Sequence, residues 1–387
     1  MVFKTYKMND MKGKQGMVCM GLLLVLSSCH TGKQITASGL QRKDFQTEVN
    51  GQHTDLFTLS NKQGMEVCIT NYGARVVSIL VPDRNGKRED VVCGFSTITE
   101  YMEQRQNFGS TVGRYIGRIL NARFTLDGVE YKLVPNNGKS GHISHGGNPG
   151  FADRIWKVEQ ADTHRVRLSY LSPDGENGFP GNLKVTLVYS LGEDDNALDL
   201  TYEATTDAPT VLNLSHHSFF NISGNFTKSV EDQQLWVDAD RFTPYDDKKC
   251  VTGEYLQVAG TPLDFRMPHA IGECIDADHP QLKVVNGYDH TWELNTKGDD
   301  TRPAAWVYDP ASGRKMEIFT TEPGMQIYTG NGLKGKMTGK RGIAYPFRSA
   351  VCFETMHFQD SPNQPGFPST VLRPGEVFRS HTVYKFE

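Results

Sequence analysis

The sequence has 387 residues and a formal net charge of −4, with acidic and basic residues interspersed throughout. That distribution provides neither a basic face for nucleic acid nor a polybasic patch for an anionic membrane surface, and so excludes both as partners. The length is large for one domain but within the range of large all-β sandwiches and barrels.

In chain order, the first element is a leader. Lys4, Lys7, Lys12 and Lys14 precede an apolar run from Met17 to Leu26, and Ser27, Ser28 and Cys29 follow. Positive charge, apolar core and small residues, in that order, are the pattern of an export signal. The run is too short to span a bilayer, which takes roughly 20 apolar residues. Leu26-Ser27-Ser28-Cys29 resembles the processing site of bacterial lipoproteins. That resemblance implies removal of residues 1–28, a diacylglycerol on the Cys29 thiol, and a protein held at the bacterial cell envelope, periplasmic or on the outer membrane. The competing reading is an ordinary secretory signal in which Cys29 is incidental. The polar stretch from His30 to about Arg42 reads as a tether, so residues 29–44 link the anchor to a domain over 45–387.

From about Phe45 onward, apolar residues recur at every second position, as in Val166, Leu168 and Tyr170 set between Arg165, Arg167 and Ser169. This is the period of a half-buried strand. Phe124 and Leu126, then Asp127-Gly128, then Val129, Tyr131 and Leu133 form a hairpin signal, because Asp-Gly supplies the positive φ values of a type I′ turn. Asn85-Gly86 is a second such signal. Further alternating runs lie at Lys184 to Leu191, Ala197 to Thr205, Lys315 to Phe319 and Val377 to Phe386. Ile98 to Gln104 allows one or two helical turns, but no apolar stripe at 3.6 spacing is sustained. The expected architecture is all-β, one large antiparallel domain with 38 glycines and 18 prolines falling between strands.

Several local patterns carry no chemistry. Outside the leader, Cys68, Cys93, Cys250, Cys274 and Cys352 are odd in number and form no CxxC, so they read as core residues rather than a disulfide framework or zinc site. The triplets headed by Asn213, Asn221 and Asn225 are discounted as glycosylation sites in a bacterial lipoprotein. Gly330-Asn331-Gly332-Leu333-Lys334-Gly335 matches a dinucleotide fingerprint, yet Gly339, Gly342 and Pro346 break the helix that must follow it. Met337 stands where a P-loop needs a hydroxyl. His142 and His145 lack a framing carboxylate or helix. His216 and His217, adjacent on a strand, point to opposite faces and do not share an ion. No metal is expected.

What remains is a set of polar residues in short turn-rich or apolar segments: Arg118 in Gly113-Arg114-Tyr115-Ile116-Gly117-Arg118, His145 in Ser144-His145-Gly146-Gly147, and His217 in Ser215-His216-His217-Ser218-Phe219. Asp289 in Gly287-Tyr288-Asp289-His290, Gln326 in Pro323-Gly324-Met325-Gln326, and Glu354 in Cys352-Phe353-Glu354-Thr355 complete it. Singly, each reads as a satisfied structural group. Together they supply an imidazole, carboxylates, a guanidinium and aromatics, the groups needed to hold a pyranose and move two protons.

In this order the segments resemble aldose 1-epimerase, a resemblance extended by Asn71-Tyr72-Gly73-Ala74, Pro82-Asp83-Arg84, the stretch Asp174 to Gly181, Thr261-Pro262-Leu263-Asp264-Phe265-Arg266 and Asn363-Gln364-Pro365. It covers nearly all of the chain after the tether. It implies a large antiparallel β-sandwich with a free aldose such as galactose or glucose in an open groove, an isomerase interconverting its α and β anomers, and no cofactor. It makes His217 the proton donor to the ring oxygen and Glu354 the base on the anomeric hydroxyl. Mutarotation requires both transfers, since the O1 proton leaves as O5 is protonated, the ring opens, and it recloses on the other face. Unperturbed Glu and His values suit those roles near neutral pH.

The resemblance further implies sugar-binding positions at Gly117, Arg118, His145, Asp289 and Gln326, the aspartate accepting from ring hydroxyls and Arg118 and His145 donating near the ring. Two of the chain's residues depart from the family pattern, which usually has Asn before the binding arginine and before the catalytic histidine. Gly117 and His216 stand there, so both departures are expected near the hydroxyls that distinguish galactose from glucose. Val251 for Pro before Thr252-Gly253-Glu254 is a loop matter. A non-catalytic sugar-binding lipoprotein would have no reason to keep both His217 and Glu354. A glycoside hydrolase would pair two carboxylates, such as Asp289 and Glu354, and a sugar-phosphate epimerase would add Arg or Lys at the groove rim.

Overall fold

The computed structural model describes residues 34–387, and its strands fall where apolar and polar side chains alternate. Arg165–Ser172, Leu183–Leu191, Ala197–Thr206, Lys315–Thr320 and Phe378–Phe386 match the predicted runs to within a residue or two. With Lys157–Ala161, Ala305–Tyr308, Gln234–Val237 and His269–Ala270 they form a nine-stranded sheet. A six-stranded sheet runs in the order Phe219–Phe220, Val351–Met356, Gly324–Tyr328, Asp289–Glu293, Arg241–Thr243, Leu256–Gln257. A third sheet joins Leu56–Ser60, Glu66–Thr70, Arg75–Pro82 and Arg88–Asp90. Every strand pairing in these sheets is antiparallel, as expected.

One cluster of buried apolar side chains joins the three sheets. Val185, Leu187, Leu200 and Ile318 of the nine-stranded sheet share it with Phe353, Ile327 and Trp292 of the six-stranded sheet and Val67 and Ile79 of the third. Burial of that surface, at about 25 cal/mol per Å² of apolar area, is what holds the layers together. A second cluster, rich in aromatics, gathers Phe45, Phe95, Tyr101, Phe108, Phe219 and Tyr345. Phe108 sets its edge against both Phe219 and Tyr345.

The local signals resolve unequally. Asp127 and Gly128 take φ of 52° and 79° and form the two-residue turn between Arg123–Leu126 and Val129–Lys132. Asn85-Gly86 also lies in a hairpin, but Pro82 pairs with Arg88 across a longer loop, closed by Asn85 and Lys87 N–H groups donating to the Asp83 carboxylate. Ile98–Gln104 is a helix with a capping box, Thr97 accepting from the Glu100 N–H and Glu100 from the Thr97 N–H. Pro280–Val285 is a helix the periodicity did not announce. Its six residues bury only Leu282 and Val285, too few to register as a stripe. After Gly324–Tyr328 the glycine-rich stretch turns without opening a helix.

The leader and Cys29 lie outside the described residues. The tether expected over residues 29–44 needs correction where it is described, because residues 34–44 are fixed to the domain. The Ala37 and Ser38 N–H groups donate to the Glu66 carboxylate at 3.0 and 3.1 Å, and Arg42 pairs with Asp55. Leu40 and Phe45 are buried in the aromatic cluster. Mean polarity concealed this, since two apolar side chains and one buried acceptor suffice to dock a short polar segment.

Candidate active site

Strand register builds the floor of the groove. In the six-stranded sheet Thr291 pairs with Gln326, and Gln326 with Glu354, giving one row across three strands. The next row is Asp289, Tyr328, Cys352 and Phe219. Because side chains alternate, Phe353, Ile327 and Trp292 enter the core while Glu354, Gln326 and Asp289 face the other way, into a groove of about 250 Å³. A short strand, Ser215–His217, paired with Ser110–Val112, delivers His217 to the same groove.

Loops supply the wall. Arg118–Ile119 pairs with Ile143–Ser144, and the His145 N–H donates to the Gly117 carbonyl at 2.9 Å. Buried Arg114 anchors this segment by donating to Ser172 Oγ and to the carbonyls of Pro180 and Gly181. Gly146, at φ 77°, lies so close to Gly113 that a Cβ would sit 2.0 Å from its carbonyl oxygen. Any side chain there would push His145 off the groove.

The structure thus brings together all seven expected positions: His217, Glu354, Gly117, Arg118, His145, Asp289 and Gln326 line one groove. His217 Nε2 is 3.4 Å from Glu354 Oε1, and the two residues are 6 % and 4 % exposed. The imidazole of His217 lies parallel to Phe219, centroids 5.0 Å apart, and meets His145 edge-on at 5.5 Å. Burial pushes Glu354 well above the ordinary carboxylate range, and the Asp289 carboxylate adds to this. Burial pulls His217 well below its ordinary value, with His145 next. His145 falls to about 4, from burial and then the Arg118 charge. Asp289 is raised by burial, against the opposing pull of Arg118 and Gln326.

Gln326 orients the far side of the floor. Its Nε2 donates to Asp289 Oδ1 at 2.6 Å, while its Oε1 accepts from Thr291 Oγ1 at 2.5 Å. Arg118 Nη1 donates to the Lys249 carbonyl at 3.3 Å.

His216 differs from expectation. It is buried on the opposite side of its strand, Nε2 2.7 Å from Ser218 Oγ and Nδ1 3.3 Å from the Tyr189 hydroxyl, and does not line the groove. Its position beside His217 in sequence is cancelled by the strand's period of two, so it has no direct access to sugar hydroxyls. Gly117 does lie on the groove, but the space above it is filled by Gln359.

Sequence reasoning missed Phe219, Tyr328, Cys352, Gln359 and Tyr245. Three had a signal: Phe219 is two residues beyond His217, Cys352 two before Glu354 and Tyr328 two after Gln326, hence on the same faces. Gln359, on a turn, and Tyr245, in an isolated bridge to Val251, had none. His217, Cys352 and Glu354 are the one group of metal-ligand type among the described residues, their donor atoms within 4.8 Å of one another. Yet the imidazole presents Nδ1 to the Cys352 thiol at 3.6 Å and Nε2 to the carboxylate. Thiol and carboxylate therefore meet opposite edges of the ring, an arrangement suited to proton transfer at Nε2 rather than to chelation by one ring nitrogen.

Residues 55–385 match the family model described as aldose 1-epimerase. The chain is 40 % identical over 331 residues to galactose mutarotase of Bos taurus, covering 85 % of this chain and 93 % of that protein. It is 36 % identical over 340 residues to aldose 1-epimerase of Escherichia coli strain K12, covering 87 % and 96 %. Among solved structures, an aldose epimerase homologue from C. elegans has a TM-score of 0.79 at 31 % identity, covering 86 % of this chain and 99 % of that one. Galactose 1-epimerase from Lactobacillus acidophilus NCFM has a TM-score of 0.76 at 28 % identity, covering 88 % and 96 %.

Proposed function

The chain belongs to the aldose 1-epimerase family and is an isomerase of aldose anomers, and from that premise we propose that His217 and Glu354 carry its two proton transfers on galactose, glucose or a related free aldose. The observation that carries this is the buried pair itself, Nε2 and Oε1 3.4 Å apart on the floor of a polar groove the size of one monosaccharide. Glu354 as carboxylate takes the O1 proton while His217 as imidazolium protonates O5. The C1–O5 bond breaks, the aldehyde turns about C1–C2, and reclosure on the other face returns both protons.

Burial decides where the pair's one proton rests. The pair holds one dissociable proton throughout, on His217 with the closed ring and on Glu354 with the open aldehyde. Burial favours neutral carboxyl and neutral imidazole, the form paired with the open chain. The ion-pair form from which ring opening starts is correspondingly disfavoured, and it is reached by passing the shared proton from Glu354 to His217 across 3.4 Å. Arg118, His145, Asp289 and Gln326 hold the ring hydroxyls and fix which face of C1 meets the pair.

The test is polarimetry of freshly dissolved α-D-galactose and α-D-glucose with the protein lacking residues 1–28. The wild type adds a rate proportional to its concentration. His217→Asn and Glu354→Gln each lower kcat by about 10²- to 10⁴-fold, the usual worth of a general acid or base, with KM nearly unchanged. Near-normal turnover in either variant refutes the assigned roles.

We also propose that the mature protein is a lipoprotein of the bacterial cell envelope, anchored through Cys29. The support is the leader's charge, apolar run and Leu26-Ser27-Ser28-Cys29 tetrad. Among the described residues no helix is long and apolar enough to cross a membrane.

A further inference from the structure

Gly117 leaves the residue before Arg118 without a side chain, but it does not leave a void. A Cβ built on Gly117 would lie 2.5 Å from Gln359 Cγ, 3.1 Å from its Cδ and 3.3 Å from its Cβ. The Gln359 side chain therefore lies directly over the glycine, and both residues line the groove. Gln359 comes from the turn after Val351–Met356, the strand that carries Glu354. The same turn is bonded to the arginine segment, since the Asp360 N–H donates to the Arg118 carbonyl at 2.8 Å.

The carboxamide of Gln359 is hydrogen-bonded at both its nitrogen and its oxygen. Its Nε2 donates to the Tyr245 hydroxyl at 2.7 Å and to Gln326 Oε1 at 3.3 Å, and its Oε1 accepts from the Arg118 N–H at 3.3 Å. It thus ties Arg118 to Gln326, and through Gln326 to Asp289. Both amide hydrogens are used, whereas the carbonyl oxygen has accepted one bond and keeps a second lone pair. An oriented amide oxygen on a groove wall between a guanidinium and a carboxylate is an acceptor for a hydroxyl.

Resting on the reading of the groove as an aldose site, we infer that Gln359 is a sugar-binding and specificity-determining residue: it accepts a ring hydroxyl on the Arg118 side of the pyranose, from the volume a side chain at position 117 would occupy. Gly117 and Gln359 are one unit, in which the amide reaches the sugar from the turn after the Glu354 strand because the glycine makes room for it. Preference between aldoses that differ in one hydroxyl orientation then depends on Gln359, and the core residue His216 has no part in it.

The experiment measures kcat and KM for α-D-galactose and α-D-glucose by polarimetry in wild type, Gln359→Ala, Gln359→Met, Gln359→Glu, Gly117→Asn and the double variant Gly117→Asn/Gln359→Ala. Gln359→Ala is expected to raise KM roughly tenfold for at least one sugar, the worth of a lost hydrogen bond, to change the galactose-to-glucose ratio of kcat/KM by more than threefold, and to leave kcat within about threefold. Gln359→Met keeps the bulk over Gly117 but removes the acceptor oxygen, and raises KM likewise should the alanine variant fold poorly, whereas Gln359→Glu, which keeps an acceptor oxygen there, stays within about threefold of the wild-type KM. Asn tolerates positive φ, so Gly117→Asn is harmful through its collision with Gln359. In the double variant the asparagine amide introduced at position 117 occupies the volume that Gln359 vacates and accepts the hydroxyl in its place, which returns KM to within about threefold of wild type. A Gln359 that only fills space predicts instead that the galactose-to-glucose ratio of kcat/KM stays unchanged in every variant, since contact alone already makes the two substitutions non-additive. KM within twofold for both sugars in Gln359→Ala, or a double variant no better than Gly117→Asn, overturns the inference while leaving the epimerase reading intact. A wild type without any polarimetric increment sinks that reading itself.

Discussion

Burial acts on His217 and Glu354 in opposite directions, and the pH dependence follows from that. Glu354 is raised well above its ordinary value and His217 lowered well below its own, so the pair's one proton is drawn from the imidazole towards the carboxylate. On the acid side activity falls as the pair takes a second proton, at a pH well below the ordinary histidine value. On the basic side it falls as the pair loses its only proton, well above the ordinary carboxylate value. The expected profile of kcat/KM, which reports the free enzyme, therefore has its acid limb well below the ordinary histidine value. An acid limb centred near the ordinary histidine value of about 6.5 would contradict this account.

At the level of elements, the site depends on two kinds of construction. The floor is register: one row of Thr291, Gln326 and Glu354 and another of Asp289, Tyr328, Cys352 and Phe219, so a one-residue slip would turn Glu354 into the core. The backing is aromatic. Phe219, stacked on His217, packs into the cluster that Phe45 joins from the N-terminal segment. That segment is therefore part of the scaffold. Phe45 is fully buried, and Phe45→Ala is expected to cost about 3–5 kcal/mol in denaturant unfolding, the usual range for emptying such a site. Unchanged stability would mean that the segment is not docked as described.

For the whole molecule, residues 34–44 lie on the domain, held by Glu66 and Asp55, and the proposed anchor at Cys29 lies outside the described residues. Cys29→Ser is expected to move the protein from the membrane fraction to the soluble one on fractionation of the producing cells, and to leave kcat and KM unchanged. Retention in the membrane fraction would mean an anchor other than Cys29.

The alternation of apolar residues determined the strands by itself, since burying one face of a sheet requires a period of two, and the long strands were legible to within a residue or two. The Asp127-Gly128 turn and the Ile98–Gln104 helix were equally local. The order of short motifs determined the family, and with it His217, Glu354 and their neighbours. Tertiary structure decided what depends on residues distant in sequence. It turned His216 into the core, fixed residues 34–44 to Glu66, and brought Gln359 from another turn over Gly117. A side chain's own strand tells which face it takes, but which distant side chain fills the space beside it is set only when the sheets and loops pack.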